Sequence, residues 1–364
     1  LEKEGWPKAG VVRLSSTEIQ CISPHVSKGE LLNIINLHFS SIQNPKPRWV
    51  ACIPITTDNV SNTGMTSNTA QYDIYTRRIN TVINYVRQNL DGDLSLDALA
   101  RVGCFSKFHF HRVFKSITDE TVGDMVVRMR LQRAANLLRT VPKLSITAAA
   151  FETGFSSVPV FSRAFRKHFG LNARQWDRQS PLENSKNGQF SDEFPRYTLE
   201  DLESFSFTVK VRSLPKQRLA YIRVHDSYSS FDRIKDAYYR LIKWYRRRGG
   251  SLDDISLYGM SQDNPDVTPL KLCRFDWCVA VPNDWKGDAE VDVCDFPACR
   301  AAAVRCVGGF GDENKVIQYL FRYWLPRSRY QPANLPGMEI YRRQPAEMGW
   351  EEYDIDCAVP VIPL

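Results

Sequence analysis

The chain has 364 residues, 43% of them hydrophobic, and a formal net charge of +7. That length and apolar content suffice for a buried core and point to two domains. The longest apolar run, "LLNII" at 31–35, is far too short to span a bilayer, and nine cysteines without a CxxC pair make neither a disulfide framework nor a metal-ligand spacing. The charge is unevenly placed. Residues 71–180 hold 17 Lys and Arg against 9 Asp and Glu, a surplus of +8, whereas 181–364 come to −2 and 1–70 to +1. A basic module joined to a slightly acidic one suggests a polyanion binder carrying a partner domain. An odd cysteine count with no visible targeting segment predicts reduced thiols and a cytoplasmic location, with no metal and no cofactor.

Residues 1–70 are rich in scattered Pro, Ser and Asn. Through residue 64 they lack sustained periodicity, and the first Met is Met65. They are expected to be a disordered tail or an extension from an upstream start assignment. From Tyr75 the pattern turns helical. Ile79, Val82, Ile83, Val86 and Leu90 recur at three- and four-residue steps, one stripe of an amphipathic helix. "DGD" at 91–93 breaks it, Ser95 caps a short helix over Leu96–Val102, Gly103 supplies a turn, and Ser106 caps the next helix. Short helix, tight turn and helix make a helix-turn-helix.

The second helix, "FSKFHFHRVFK" at 105–115, alternates rings with bases. Phe110, Val113, Phe114 and Ile117 share one face and form the core side. Lys107, Phe108, His111, Arg112 and Lys115 fall opposite. His109 and His111 are two apart and do not face each other, which disfavours a metal pair. Shifted by 51 residues, the pattern returns in "GFSSVPVFSRAFRKHFG" at 154–170: Gly103 maps to Gly154, Ser106 to Ser157, Phe110 to Phe161, Arg112 to Arg163 and Lys115 to Arg166. Pro159 is tolerated in a first helical turn. Between the units, Val122, Met125, Val126 and Met129 predict a linking helix over 121–140. A helix of about 20 residues spans roughly 30 Å, near the 34 Å repeat of duplex DNA, so one chain can set two reading helices in successive major grooves.

The paired units "LARVGCFSKFHFHRVFK" and "AAAFETGFSSVPVFSRAFRKHFG" resemble the DNA-binding domain of AraC/XylS-type transcription regulators, over about residues 72–178. The resemblance implies an all-α double helix-turn-helix domain at 71–180 that binds double-stranded DNA. It places base contacts at Phe108, His111 and Arg112, and around Val158, Pro159, Ser162 and Arg163. Lys107, Lys115, Ser157, Arg166 and Lys167 complete the candidate DNA-binding set, with the second helix expected mainly to hold phosphates. Cys104 stands where the family usually has Gly, and "LNARQWDR" lacks its usual Pro.

Residues 181–204 are polar, contain two Pro and read as a linker. Beyond them "RLAYIRVHD", the helix at 229–249, "SLYGMS" and "CRFDWCVAVP" are echoed by "CRAAAVRCVG", a helix at 313–326, "GMEIYRR" and "YDIDCAVPV". The period of about 80 residues predicts an α+β domain of two β-α-β-β repeats over 205–364, packed together because one unit alone leaves a sheet face uncovered. This half resembles the GyrI-like small-molecule-binding domain, marked by "YGMSQDNPDVTP", "EIYRRQP" and "YDIDCAVPV". The resemblance implies a small-molecule effector between the repeats, with Tyr258, Trp277, Glu339, Tyr341, Trp350 and Glu352 as candidate ligand residues. A buried Glu facing aromatics would select a cationic, planar or lipophilic effector. The reading is a transcription regulator, not an enzyme, with RNA polymerase as a candidate protein partner. Two alternatives stay open: a small-molecule hydrolase, for which no Ser/His/Asp or Cys/His set is visible, and a ligand-free protein-interaction module.

Overall fold

A computed structural model describes residues 67–176, 197–265 and 267–364. The expectation for residues 1–64, and most of the linker reading at 181–204, lie outside the described residues. Helix α1 spans Ser67–Gln88, α2 Leu96–Val102, α3 Lys107–Thr118, α4 Val122–Thr140, α5 Ile146–Glu152 and α6 Val158–Phe169. The apolar stripe of α1 is the reason the first unit holds together: Ile79, Val82, Ile83 and Val86 are fully buried against Leu99, Phe110, Phe114 and Met125. A parallel core joins Leu131, Ala134 and Leu138 of α4 to Ala149, Phe161, Phe165, Phe169 and Trp176. The amphipathic α4 thus supplies one end to each core, which fixes the spacing of α3 and α6.

Local signals set the helix ends. Ser95, Thr121, Ser145 and Ser157 accept hydrogen bonds from backbone amides in the first turns of α2, α4, α5 and α6. Ser106 departs from the expectation: it has the extended N-cap backbone, but its side chain makes no capping bond. The repeat also needs a correction. The left-handed residues of the two turns are Cys104 (φ 55°) and Gly154 (φ 84°), so Gly154 corresponds to Cys104, not Gly103. Phe105 and Phe155 then donate to Ala100 and Ala150 in the same way. The offset is 50 residues up to this point and 51 beyond it, because the second turn holds one more residue. Gly103 is small for a different reason: a Cβ there would lie 2.9 Å from the Phe105 ring and 3.0 Å from Val82.

Past Asn172–Trp176, the described chain resumes at Tyr197. Residues 199–204, at the end of the segment read as linker, form helix α7, Leu199–Ser204, with a capping box of Thr198 and Asp201 and Leu202 buried. Then come β1 (Lys210–Leu214), β2 (Gln217–His225), α8 (Phe231–Arg247), β3 (Leu257–Ser261), β4 (Arg274–Ala280), β5 (Asp292–Phe296), β6 (Cys299–Gly308), α9 (Phe310–Gln318, continued by a π-helical Tyr319–Trp324), β7 (Tyr330–Pro332), β8 (Gly337–Tyr341) and β9 (Tyr353–Pro363). All pairings are antiparallel, in the order β1-β6-β9-β8-β3-β4-β2-β5, with β7 on β9. Helix α8 covers β2 and β4, burying Tyr238, Leu241 and Trp244 with Trp277. Helix α9 covers β6 and β9 through Val316 and Leu320. Strands β3 and β8 meet in the middle between the two helices, where Gly259 lies opposite Glu339.

The helical half is docked on the sheet. From α1, Arg77 Nε reaches Asp292 at 2.6 Å and Asn84 Nδ2 reaches the Tyr221 hydroxyl at 3.1 Å. From α4, Arg128 Nη1 reaches Asp263 at 3.0 Å, and Asn136 accepts from Asn264 at 2.9 Å. Val267 is inserted into the core of the second helix-turn-helix unit. The loop after β3 therefore clamps the linking helix.

Candidate functional site

Two surfaces carry the chemistry. On α3, Lys107, Phe108, His111, Arg112 and Lys115 are exposed, and Phe108 shows 84% of its surface to solvent. A phenylalanine that exposed buries nothing within the fold and is free to meet a partner. Lys107 pairs with Asp97 at 3.0 Å, an exposed bridge that a phosphate can displace at little cost. On α6, Pro159, Arg163, Arg166 and Lys167 are exposed, while Val158 and Ser162 are half-buried. Ser157 is committed to the helix end, accepting from the Val160 amide. Among the described residues, no group of three or more His, Cys, Asp or Glu could hold a metal, and no helix is long and apolar enough to cross a membrane.

The second surface is a cavity of about 480 Å³ over the middle of the sheet. Strand alternation decides which side chains reach it. Ser261 of β3, Phe275 and Trp277 of β4, and Glu339 and Tyr341 of β8 line it, joined by Phe231, Phe310, Glu313, Trp350 and Tyr353. Four of the six sequence candidates thus converge: Trp277, Glu339, Tyr341 and Trp350. Two do not. Tyr258 is one residue out of phase; it packs on the opposite face with Met260 and Met338, and its hydroxyl donates to Gln217 at 2.8 Å. Glu352 is exposed in the turn before β9 and does not line the cavity.

The aromatic wall is rigid. Trp277 and Tyr341 lie 5.1 Å apart, Tyr238 and Trp350 5.0 Å apart and perpendicular. The Trp277 indole N–H is bonded to the Ile234 carbonyl at 2.9 Å, so Trp277 offers a ring face rather than a donor. Against this wall sits Glu339. A Cβ on Gly259 would lie 2.5 Å from its carboxylate, which is why β3 needs glycine there. The Tyr341 hydroxyl donates to Glu339 Oε2 at 2.6 Å. Burial pushes Glu339 up to about 7, against the lowering hydrogen bonds from Tyr341 and Glu313. Burial, and then the nearby Glu339 charge, lift Glu313 well above the usual carboxylate range. Burial thus disfavours the charged form of both carboxyls, and a basic or hydrogen-bond-donating group set against them would favour it.

Glu313 was not among the sequence candidates. It lies in the first turn of α9, where an acid is unremarkable for the helix dipole; only the fold sets it against Glu339. The cavity also exceeds the expected cleft between repeats. It continues past the Ser261–Gly337 end of β3 and β8 to Arg87 and Leu90 of α1 and Met129, Gln132, Arg133 and Asn136 of α4. The helical half is one wall of the site.

A pH effect follows. The Glu339 carboxyl in the folded chain titrates near 7, above its unfolded value, so between about pH 4.5 and 7 the folded state binds more protons and this group's contribution to stability falls as pH rises. Glu339→Gln removes that slope. Its unfolding free energy relative to wild type should climb from pH 5 to pH 8 by an amount on the order of 2 kcal/mol, read by urea unfolding at the two pH values. A pH-independent difference would show that the carboxyl is not held protonated.

Comparison with known proteins finds a match for each half of the chain. A family model described as a helix-turn-helix domain matches residues 99–179, and one described as a GyrI-like small molecule binding domain matches residues 207–362. The regulatory protein SoxS of Salmonella typhimurium is 34% identical over 91 residues, covering 25% of this chain and 84% of SoxS. The transcriptional regulator Rob of the same organism is 32% identical over 102 residues, 28% of this chain and 35% of Rob. Among solved structures, a transcriptional regulator with an AraC-type DNA-binding domain from Chromobacterium violaceum is 28% identical, covers 29% of this chain and 93% of that one, and has a TM-score of 0.27. The EcmrR C-terminal domain is 15% identical, covers 44% of this chain and 100% of that one, and has a TM-score of 0.36. Scores this low measure partial overlap, not a common overall architecture. With 84% of SoxS matched at that identity, the chain belongs to the AraC/XylS family of transcription regulators, with a helix-turn-helix DNA-binding region followed by a GyrI-like small-molecule-binding domain.

Proposed function

We propose that this regulator reads double-stranded DNA through α3 and α6 and is controlled by a small, partly apolar effector held in the cavity. The observation that carries the reading is that the cavity is walled by both halves: Trp277, Tyr341 and Glu339 from the sheet, and residues of α1 and α4 from the DNA-binding half. An effector seated there touches the helix that spaces the two reading helices. We further read the sheet as two copies of one β-α-β-β unit, β2-α8-β3-β4 and β6-α9-β8-β9, joined at β3 and β8, with domains at 71–180 and 205–364. Such a role places the protein in the cytoplasm and makes RNA polymerase a candidate partner.

In this reading Phe108, His111 and Arg112 face base edges. Lys107, Lys115, Arg166 and Lys167 hold phosphates, and Ser162 and Arg163 set the second helix. Arg112→Ala should weaken binding to a selected site by about 1–3 kcal/mol while leaving random duplex binding nearly unchanged. Lys115→Ala should weaken binding to all duplexes alike and lower the salt dependence by about one counterion. Gel shifts on the two duplex classes, across a salt series, separate these effects. An unchanged ratio of specific to random affinity in Arg112→Ala would remove α3 from the major groove.

A further inference from the structure

The reading helix of the second unit begins with apolar surface that the fold does not use. Phe161, Phe165 and Phe169 of α6 are fully buried in the core of that unit, and Val158 packs partly against it. Pro159 and Val160, the next two residues, are exposed, and Val160 shows 39% of its surface to solvent. Proline in a first helical turn has a structural reason, since the amides there lack intrahelical partners. Val160 has none: a β-branched side chain outside the core weakens a helix slightly and buries nothing. From Val158 to Phe161 no side chain carries a hydrogen-bonding group, and the flanking Ser157 oxygen accepts from the Val160 amide. Three, four and seven residues on from the pair, the exposed Arg163, Arg166 and Lys167 put positive charge on the same side of the helix. Two residues make a patch far too small for a protein interface.

We infer that α6 enters the major groove and reads thymine there, by packing Pro159 and Val160 on its C5 methyl group. Among the base-edge groups of the major groove the thymine methyl is the one apolar feature. The others are hydrogen-bond donors and acceptors, which these two side chains cannot meet. Contact with phosphates alone gives the pair no role, because an apolar side chain offers an anion no hydrogen bond. The N-terminal turn of a reading helix is the part that meets base edges, and the pair lies in that turn. The inference rests on the proposed reading of DNA by α6, and it names what that helix recognises. The half-site facing α6 contains at least one thymine, about one helical turn, or roughly 10 base pairs, from the half-site facing α3.

The test uses the full chain and a duplex that it selects from a random-sequence pool. Thymines of that duplex are replaced one at a time by deoxyuridine, which removes the methyl group and keeps the base pair. Fluorescence anisotropy should show binding by wild type weakened about fourfold for at least one replacement, the worth of one buried methyl group. That penalty should vanish in the double variant Pro159→Ser/Val160→Ser. It should shrink in Val160→Thr, which keeps the shape and exchanges a methyl for a hydroxyl. The penalty compares two duplexes on the same folded protein, so a small loss of stability in a variant does not alter it. Arg166→Ala should weaken all duplexes alike and keep the wild-type penalty, which separates phosphate contact from methyl contact. No uracil penalty in wild type, or one that persists unchanged in both apolar-pair variants, overturns thymine reading by α6. The reading of DNA by this regulator stands in that case, provided wild type still prefers the selected duplex over random ones. Failure to select any duplex removes both.

Discussion

Asp263→Ala should cost about 3–5 kcal/mol of stability, the range for removing one partner of a buried charge network. Asp263 is 5% exposed and receives Arg274 through Nε at 2.7 Å and Nη2 at 2.8 Å, and Arg128 through Nη1 at 3.0 Å. Its loss leaves the buried Arg274 without a carboxylate partner and Arg128 with Glu120 alone. Burial by itself would push the Asp263 carboxyl up, but Arg274 and Arg128 hold it well below the usual carboxylate range. A depressed folded pKa means its contribution is present above about pH 4 and lost only as pH falls below that. Urea unfolding at pH 7 reads the loss. Because Asp263 also fixes the loop that carries Val267 into the second helix-turn-helix core, the variant should in addition lose the protection of the Gln262 and Val267 amides from hydrogen exchange. A loss under 1 kcal/mol would mean that the docking of the two halves does not depend on this loop. A double cycle with Arg128→Ala should show strong non-additivity, since the two residues share one bond.

Gly154→Ala is the second large effect, expected at about 3 kcal/mol or more. Its φ of +84° costs an L residue about 1–2 kcal/mol, and the added Cβ would lie 2.3 Å from the Leu90 carbonyl oxygen. That oxygen is held in place by Arg130 Nε at 2.7 Å, so it cannot yield without breaking a bond between the two units. The reciprocal change argues the same physics. Cys104 occupies the equivalent left-handed position, and Cys104→Gly should stabilise by roughly 0.5–1 kcal/mol. Chemical denaturation of the two variants tests the pairing of the turns. If Gly154→Ala is neutral, the turn has another conformation and the correspondence of residues 104 and 154 fails.

Much of the helical half is legible in the residues themselves because its forces are local. The stripe Ile79-Val82-Ile83-Val86, the cap at Ser95 and the Phe110-Val113-Phe114 face each act within a few turns of chain, and each element ends within a residue or two of where those signals place it. The same holds for β6 and β9, buried central strands whose apolar runs leave few alternatives. Strands β1 and β5 carry little such signal, since "KVRSL" is largely exposed and "DVCDF" carries two aspartates. They become strands because β6 and β2 offer them unpaired edges.

The site depends on decisions that no local pattern contains. Parity along β3 separates Tyr258 from Gly259, and only the pairing of β3 with β8 shows that the glycine faces Glu339. Glu313 reads as an ordinary first-turn acid until α9 sets it against β8. Arg87 looks like a solvent-facing base on α1, and Asp263 like a loop residue, until the halves dock and dehydrate them. The sequence by itself determined the double helix-turn-helix, its exposed basic faces and a duplicated strand pattern, because periodicity and capping are short-range. Tertiary structure alone decided which aromatics and carboxylates meet, and that the DNA-binding half closes the cavity, because those contacts join separate elements, and the charged contacts between the halves join residues 135 and 215 positions apart.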